Sequence, residues 1–267
     1  MRNLSLQRPL TIVGMGGSGI GGALIAMGHP DVHAINGWAP PTRPSGTLLL
    51  VSYSGDTVET LSWLPMLQEG DCIISSGGTM TRYAKEERIS LIPVLHSGPP
   101  RRTLYEVAGI LDALLSGGDS VWDGSAPSEE LLSATTSLAH SWQEERRFPW
   151  VFGHQGEEAL AHRWAGMLHE DAKVPAGVGI LPEALHNQLE GVAGSPHPMG
   201  VIALPRLSHG EATLSNLRRG LGETPCWTPS TTSLFELLQL GDAFALAWAE
   251  GRGVDPHPVP AITAAKG

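Results

Sequence analysis

Three short loops rich in glycine and hydroxyl side chains are the first places in this sequence where chemistry could occur. GMGGSGIGG (14–22) contains GxGxxG as Gly14, Gly16 and Gly19, directly after an apolar run and before a helical one. SYSGDTVET (52–60) gathers Ser52, Ser54 and Thr57 around Gly55, and SSGGT (75–79) repeats the theme. Helix N-terminal amides and small hydroxyls together make a phosphate site without a lysine. Ser and Thr also favour helix N-caps on their own account. Each residue alone therefore reads as cap or as phosphate ligand, and the set together favours phosphate. A dinucleotide reading of the first loop asks for an acid at the end of the second strand. That strand ends in Asn36, with Asp31 ahead of it, which weakens the NAD reading.

Such loops need a scaffold that brings them to one edge. PLTIVG (9–14), VHAING (32–37), GTLLLVSYSG (46–55), DCIISSGG (71–78) and ISLIPVLHSG (89–98) read as strands. Helical stretches at 20–28, 57–70 and 102–118 alternate with them. The turn-rich stretch 117–130 reads as a linker. A helix (131–147), a strand (148–156) and a helix (157–174) follow, and the alternation continues through GVIALPRL (200–207) to the Leu-rich helix at 233–249. This pattern predicts an α/β fold of two doubly wound parallel-sheet subdomains, flavodoxin-like in style, over 1–125 and 126–267. Parallel strands carry their C-terminal ends to one edge, so Ser18, Ser52, Ser54 and Thr57 converge there.

Composition narrows the class. The chain has 267 residues, with 17 Lys and Arg against 27 Asp and Glu, for a formal net charge of −10. That balance argues against nucleic acid or an anionic membrane as partner. With 41% hydrophobic and 16% charged residues the composition is globular. No run approaches the ~18 apolar residues of a membrane span. Two cysteines, Cys72 and Cys226, make no disulfide framework. The expectation is a soluble, cytoplasmic protein.

GMGGSGIGG and SYSGDTVETL resemble the phosphate loops of sugar isomerase (SIS) domains. RWAGMLHEDAKVPA (163–176) and LPEALHNQLEG (181–191) resemble the RWKxQxNENAKxPA and PExNHNEIxG segments of bifunctional phosphoglucose/phosphomannose isomerases. PPRRTLYE (99–106) and DPHPVPAITAAK (255–266) match further family segments, in order, so the likeness covers nearly the whole chain.

The resemblance implies an aldose–ketose isomerase acting on sugar 6-phosphates through a cis-enediolate, with no metal and no cofactor. It assigns the base to Glu170 in HEDAK and ring opening to His186, contributed to the site of a partner subunit in a homodimer with shared active sites. Lys266 then assists at the ring oxygen, and Arg101, with Arg102 as fallback, stabilises the enediolate charge. Gly17, Ser18, Ser52, Ser54 and Thr57 fall on the phosphate-binding positions. HEDAK departs from NENAK by placing His169 and Asp171 beside the base. Gln188 stands where the family has Glu, and His257 where relatives often have threonine.

Other chemistries fit less well. Eleven histidines are present, yet none makes HExxH or HxH, so a zinc enzyme is not expected. Gly16-Gly17-Ser18-Gly19-Ile20 is one residue out of step with a GxSxG nucleophile elbow. The alternative kept open is a non-catalytic SIS-type regulator that binds a phosphosugar. The presence of Glu170, His186 and Lys266 and the lack of a basic DNA-binding helix count against it.

Overall fold

The computed structural model describes residues 6–95, 100–116, 124–205 and 211–265. The chain divides into two compact units, Met1–Trp122 and Asp123–Gly267.

In the first unit, β1 (Leu10–Gly14) leads into α1 (Gly16–Ala26), then β2 (Val32–Ile35) and β3 (Thr47–Ser52). A single-turn helix α2 (Val58–Leu61) and a 3-10 turn (Leu64–Met66) precede β4 (Cys72–Ser75), α3 (Gly78–Glu86) and β5 (Ser90–Pro93). A second 3-10 turn (Pro100–Arg102) opens α4 (Leu104–Leu115). The five strands are all parallel, in the order β2-β1-β3-β4-β5. This is the flavodoxin-like order, whose switch point lies between β1 and β3. The apolar run of β3 is continuous because both of its faces are covered. Leu49 and Val51 pack with Ile12, Val107 and Leu111 on one side, and Leu48 and Leu50 with Trp63, Ile73 and Met80 on the other.

Two expectations change here. The helix expected at 57–70 stops at Leu61, because Pro65 lacks an N–H and its ring would strike the carbonyl four residues back, on Leu61. The helix expected from 20 starts at Gly16 instead. Its glycines have poor helix propensity but let it lie against β1. A Cβ on Gly19 would stand 2.4 Å from the Gly14 carbonyl, and one on Gly22 2.6 Å from Ile12. Close packing overrides propensity there.

The second unit runs α5 (Glu129–Glu144), β6 (Phe148–His154), α6 (Glu158–Glu170) and β7 (Gly177–Leu181). A 3-10 turn (Glu183–His186), α7 (Gln188–Ala193), β8 (Met199–Ala203), α8 (Glu211–Leu221) and β9 (Cys226–Trp227) follow. The long α9 (Leu234–Gly251) and α10 (Pro260–Ala265) close the chain. This sheet is also parallel throughout, in the order β7-β6-β8-β9. Helices α5 and α6 pack against α9, while α7 packs against α8. Aromatic rings fasten the α9 layer: Phe244 meets Trp142 edge-on at 5.8 Å and Trp164 at 6.1 Å. Beneath them Arg163 on α6 donates to Asp242 on α9 at 2.8 Å, and both side chains are buried. The two α/β units with parallel sheets bear out the fold class.

Strand β7 has no counterpart among the expected elements, since GVGIL carries two glycines where a strand is weakest. The register explains them. Trp150 lies opposite Gly177 and Phe152 opposite Gly179, and the rings of Phe148, Trp150 and Phe152 follow one another at 6.4 Å centroid spacing. Two of these rings cover the glycines, so a Cβ on Gly177 would stand 2.3 Å from Trp150 and one on Gly179 2.5 Å from Phe152. Phe152 is fully buried and has no room to retreat. Gly179→Ala is therefore expected to cost about 1–3 kcal/mol by overpacking. Urea denaturation with an unchanged m-value checks it.

Candidate functional site

The strand-end loops of the first unit form one connected structure at the C-terminal edge of its sheet. The Tyr53 N–H donates to Ser18 Oγ at 3.3 Å, tying the loop after β3 to the first turn of α1. Ser52 Oγ accepts the Gly55 N–H at 3.2 Å and shares a hydrogen bond with Thr57 Oγ1 at 3.1 Å. Ser54 is exposed, and its Oγ accepts the Asp56 N–H at 3.3 Å. Gly55 takes φ +74°, and a Cβ there would stand 2.0 Å from the Gly77 carbonyl, so only glycine lets these two loops meet.

The cap reading of these hydroxyls fails at two positions. Thr57 precedes α2 but makes no side-chain cap bond, its hydroxyl being turned to Ser52. Ser18 sits inside the first turn of α1, whose own start at Met15 has no side-chain cap and no acidic residue in its first turn. That helix end keeps its partial positive charge for something else. Gly17, half-buried, lies in the same turn.

Asp56, which no sequence motif marks, braces the loop. Its Oδ1 accepts both the N–H and the hydroxyl of Thr79 at 2.8 Å. The Thr79 N–H first, then its hydroxyl, hold this carboxyl below its ordinary range against a small opposing effect of burial. The SSGGT spacing was the available signal. Its threonine serves to fix Asp56.

Arg101 is buried and Arg102 half-buried, in the 3-10 turn that packs against α1. The thiols are unsuited to nucleophilic work: burial pushes Cys72 up to about 12 and also raises Cys226. Among the described residues no group of three or more His, Cys, Asp and Glu is arranged to hold a metal ion. No helix among the described residues is long and apolar enough to cross a membrane.

In the second unit Glu170 is half-buried at the last position of α6. Asp171, its neighbour, turns wholly into the protein, so the two acids point apart. The His169 Nε2 accepts the Ala176 N–H at 3.1 Å. This bond places the Glu170 turn beside the start of β7.

His186 stands at the other end of the strand. It is exposed, at the close of the 3-10 turn after β7, and lines a cleft of about 380 Å³ with Gln155, Ile180, Leu181, Pro182 and Glu183. The Gln155 N–H donates to the Leu181 carbonyl at 2.9 Å, joining the ends of β6 and β7 there. The five residues of β7 span about 15 Å, so Glu170 and His186 lie at opposite edges of this unit's sheet. Their own unit does not bring them together. His257 is exposed, with its N–H donating to Asp255 Oδ1 at 2.9 Å. Lys266 lies outside the described residues.

Residues 133–216 match the bacterial phospho-glucose isomerase C-terminal SIS domain. A bifunctional phosphoglucose/phosphomannose isomerase of Pyrobaculum calidifontis is 28% identical over 270 residues, covering 96% of this chain and 87% of the relative. The enzyme of the same name from Caldicellulosiruptor bescii is 27% identical, over 95% and 87% of the two chains. Among solved structures, a glucosamine-6-phosphate deaminase of Thermotoga maritima aligns over 94% of this chain and 88% of its own, with TM-score 0.69 and 16% identity. A glucose-6-phosphate isomerase of Chlamydia trachomatis aligns over 96% and 68%, with TM-score 0.72 and 11% identity. The fold is thus shared with these two proteins. From loops to chain-length similarity, these observations agree: residues 133–216 match an SIS domain, and nearly the whole chain is similar to bifunctional phosphoglucose/phosphomannose isomerases.

Proposed function

We propose that this protein is a metal-independent aldose–ketose isomerase that interconverts glucose 6-phosphate, mannose 6-phosphate or both with fructose 6-phosphate. The observation that carries it is the phosphate cradle of the first unit, where Ser18, Ser52, Ser54 and Thr57 gather beside the uncapped start of α1. Gly17 and its neighbours supply backbone N–H groups, so an anion is held without a lysine. The relatives named above support the reading.

The chemistry follows from the residues. The Glu170 carboxylate takes the C2 proton of the open-chain aldose while the carbonyl oxygen gathers the electrons, giving a cis-enediolate. The O2 hydroxyl proton passes to O1, the same carboxyl returns its own proton to C1, and the ketose results. Arg101 offsets the enediolate charge. His186 moves the ring-opening proton near neutral pH, and Lys266 assists at the ring oxygen.

The assembly is a cytoplasmic homodimer with shared sites, built from SIS domains over 1–125 and 126–267. What supports sharing is the placement of Glu170 and His186 at opposite edges of one sheet, which leaves the histidine to serve a second copy.

The test is a coupled assay in EDTA that offers fructose 6-phosphate and detects glucose 6-phosphate and mannose 6-phosphate separately. Turnover is expected, and the product ratio names the preference. Binding without turnover would replace the isomerase by a phosphosugar-binding regulator. In the same assay Ser54→Ala is expected to raise KM about tenfold with kcat unchanged, the loss of one hydrogen bond to a charged group. Ser54 suits this purpose because it is exposed and its removal opens no cavity.

A further inference from the structure

Lys173 stands three residues past Glu170 with a backbone φ of +53°. Glycine adopts this left-handed conformation freely and a lysine does not. What the lysine brings that glycine lacks is a side chain ending in an ammonium, and that ammonium is engaged twice. Its Nζ donates to the Glu170 carbonyl and, at 3.2 Å, to the Pro256 carbonyl. A second cation completes the arrangement: Arg252 Nη1 donates to the Ala172 carbonyl at 2.8 Å and to the Lys173 carbonyl at 3.0 Å. Both charges sit at the negative end of α6, where cations are favoured. The turn that carries Glu170 is thereby tied to the end of α9 and to the segment carrying His257.

We propose that Lys173 is a positioning residue for the isomerisation: by holding the Glu170 and Pro256 carbonyls together it aims the Glu170 carboxylate and keeps the C-terminal segment beside it. This rests on Glu170 as the base. Arg252 supports the same turn from below, so Lys173 acts on orientation while the fold is kept by other contacts.

The test compares Lys173→Gly and Lys173→Arg with the wild type, full length. Glycine suits the left-handed backbone and removes the side chain together with its ammonium. Lys173→Gly is expected to melt no lower than wild type and to hold KM within about twofold, while kcat falls about 10–100-fold, as a misaimed group requires. Lys173→Arg, which keeps a donor cation, is expected to recover most of kcat. Amide exchange supplies a readout independent of activity: protection should drop in Lys173→Gly at both 170–173 and 255–257. Unchanged kcat, or unchanged exchange in both segments, overturns the proposal, and so does a kcat loss matched by a fall in melting temperature. An inactive wild type with faster exchange in Lys173→Gly would instead overturn the isomerase reading and leave the clamp standing.

Discussion

Glu170→Gln is expected to fold as the wild type does and to lose about 10²–10⁴ in kcat, the usual worth of a positioned general base. The amide fills the same volume but has no lone pair basic enough to take a carbon-bound proton. Because Glu170 is half-buried at a helix end, the exchange disturbs no core packing. His186→Asn, at an exposed position, is expected to be similarly silent for folding and severe for turnover of the ring-closed sugar. The two variants together make the sharper measurement. If each site takes Glu170 from one subunit and His186 from the other, a mixed dimer has one site with both defects and one with neither. Unfolding and refolding the two inactive variants in equal amounts should then restore about a quarter of the wild-type activity, from half of the dimers with one intact site each. A mixture as inactive as its components would show that both residues act within one chain.

Asp242→Ala is expected to lower stability by about 3–5 kcal/mol, since it strands the Arg163 guanidinium inside the α6–α9 packing. For a unit of this size the melting temperature should drop by about 10 °C. Arg163 and Asp242 face each other at 2.8 Å with side chains only 3% and 9% exposed, so water cannot take over the lost partner. Replacing both at once, as Arg163→Met with Asp242→Leu, should recover much of the loss, because an apolar pair needs no mutual charge. Thermal unfolding of the single and double variants decides it. A single variant as stable as wild type would mean the pair contributes nothing that solvent does not.

The first unit was legible in its strands because a central parallel strand buried on both sides reads as an unbroken apolar run, as TLLLV does. The hydroxyl-rich loops were legible because their serines and threonines cluster at strand ends. Less visible was whatever depends on a distant partner. Strand β7 hides in GVGIL because its glycines answer to Trp150 and Phe152 on the neighbouring strand, more than twenty residues earlier in the chain. Asp56 carries no local signal of its role, and only the approach of Thr79 makes it a brace. Lys173 was part of a recognised segment, yet its left-handed backbone and its bond to the Pro256 carbonyl have no local signal. The separation of Glu170 from His186 follows from strand direction, and a sixteen-residue gap gives no hint of it.

If Glu170 and His186 serve one reaction, that separation also sets how output scales with the amount of chain present. A catalyst whose base and ring-opening group stand at opposite ends of one strand has no complete centre when alone. Its rate at high dilution then follows the square of chain concentration and becomes proportional only once pairing saturates. Expression level would act as a threshold on flux, with no effector needed to impose it.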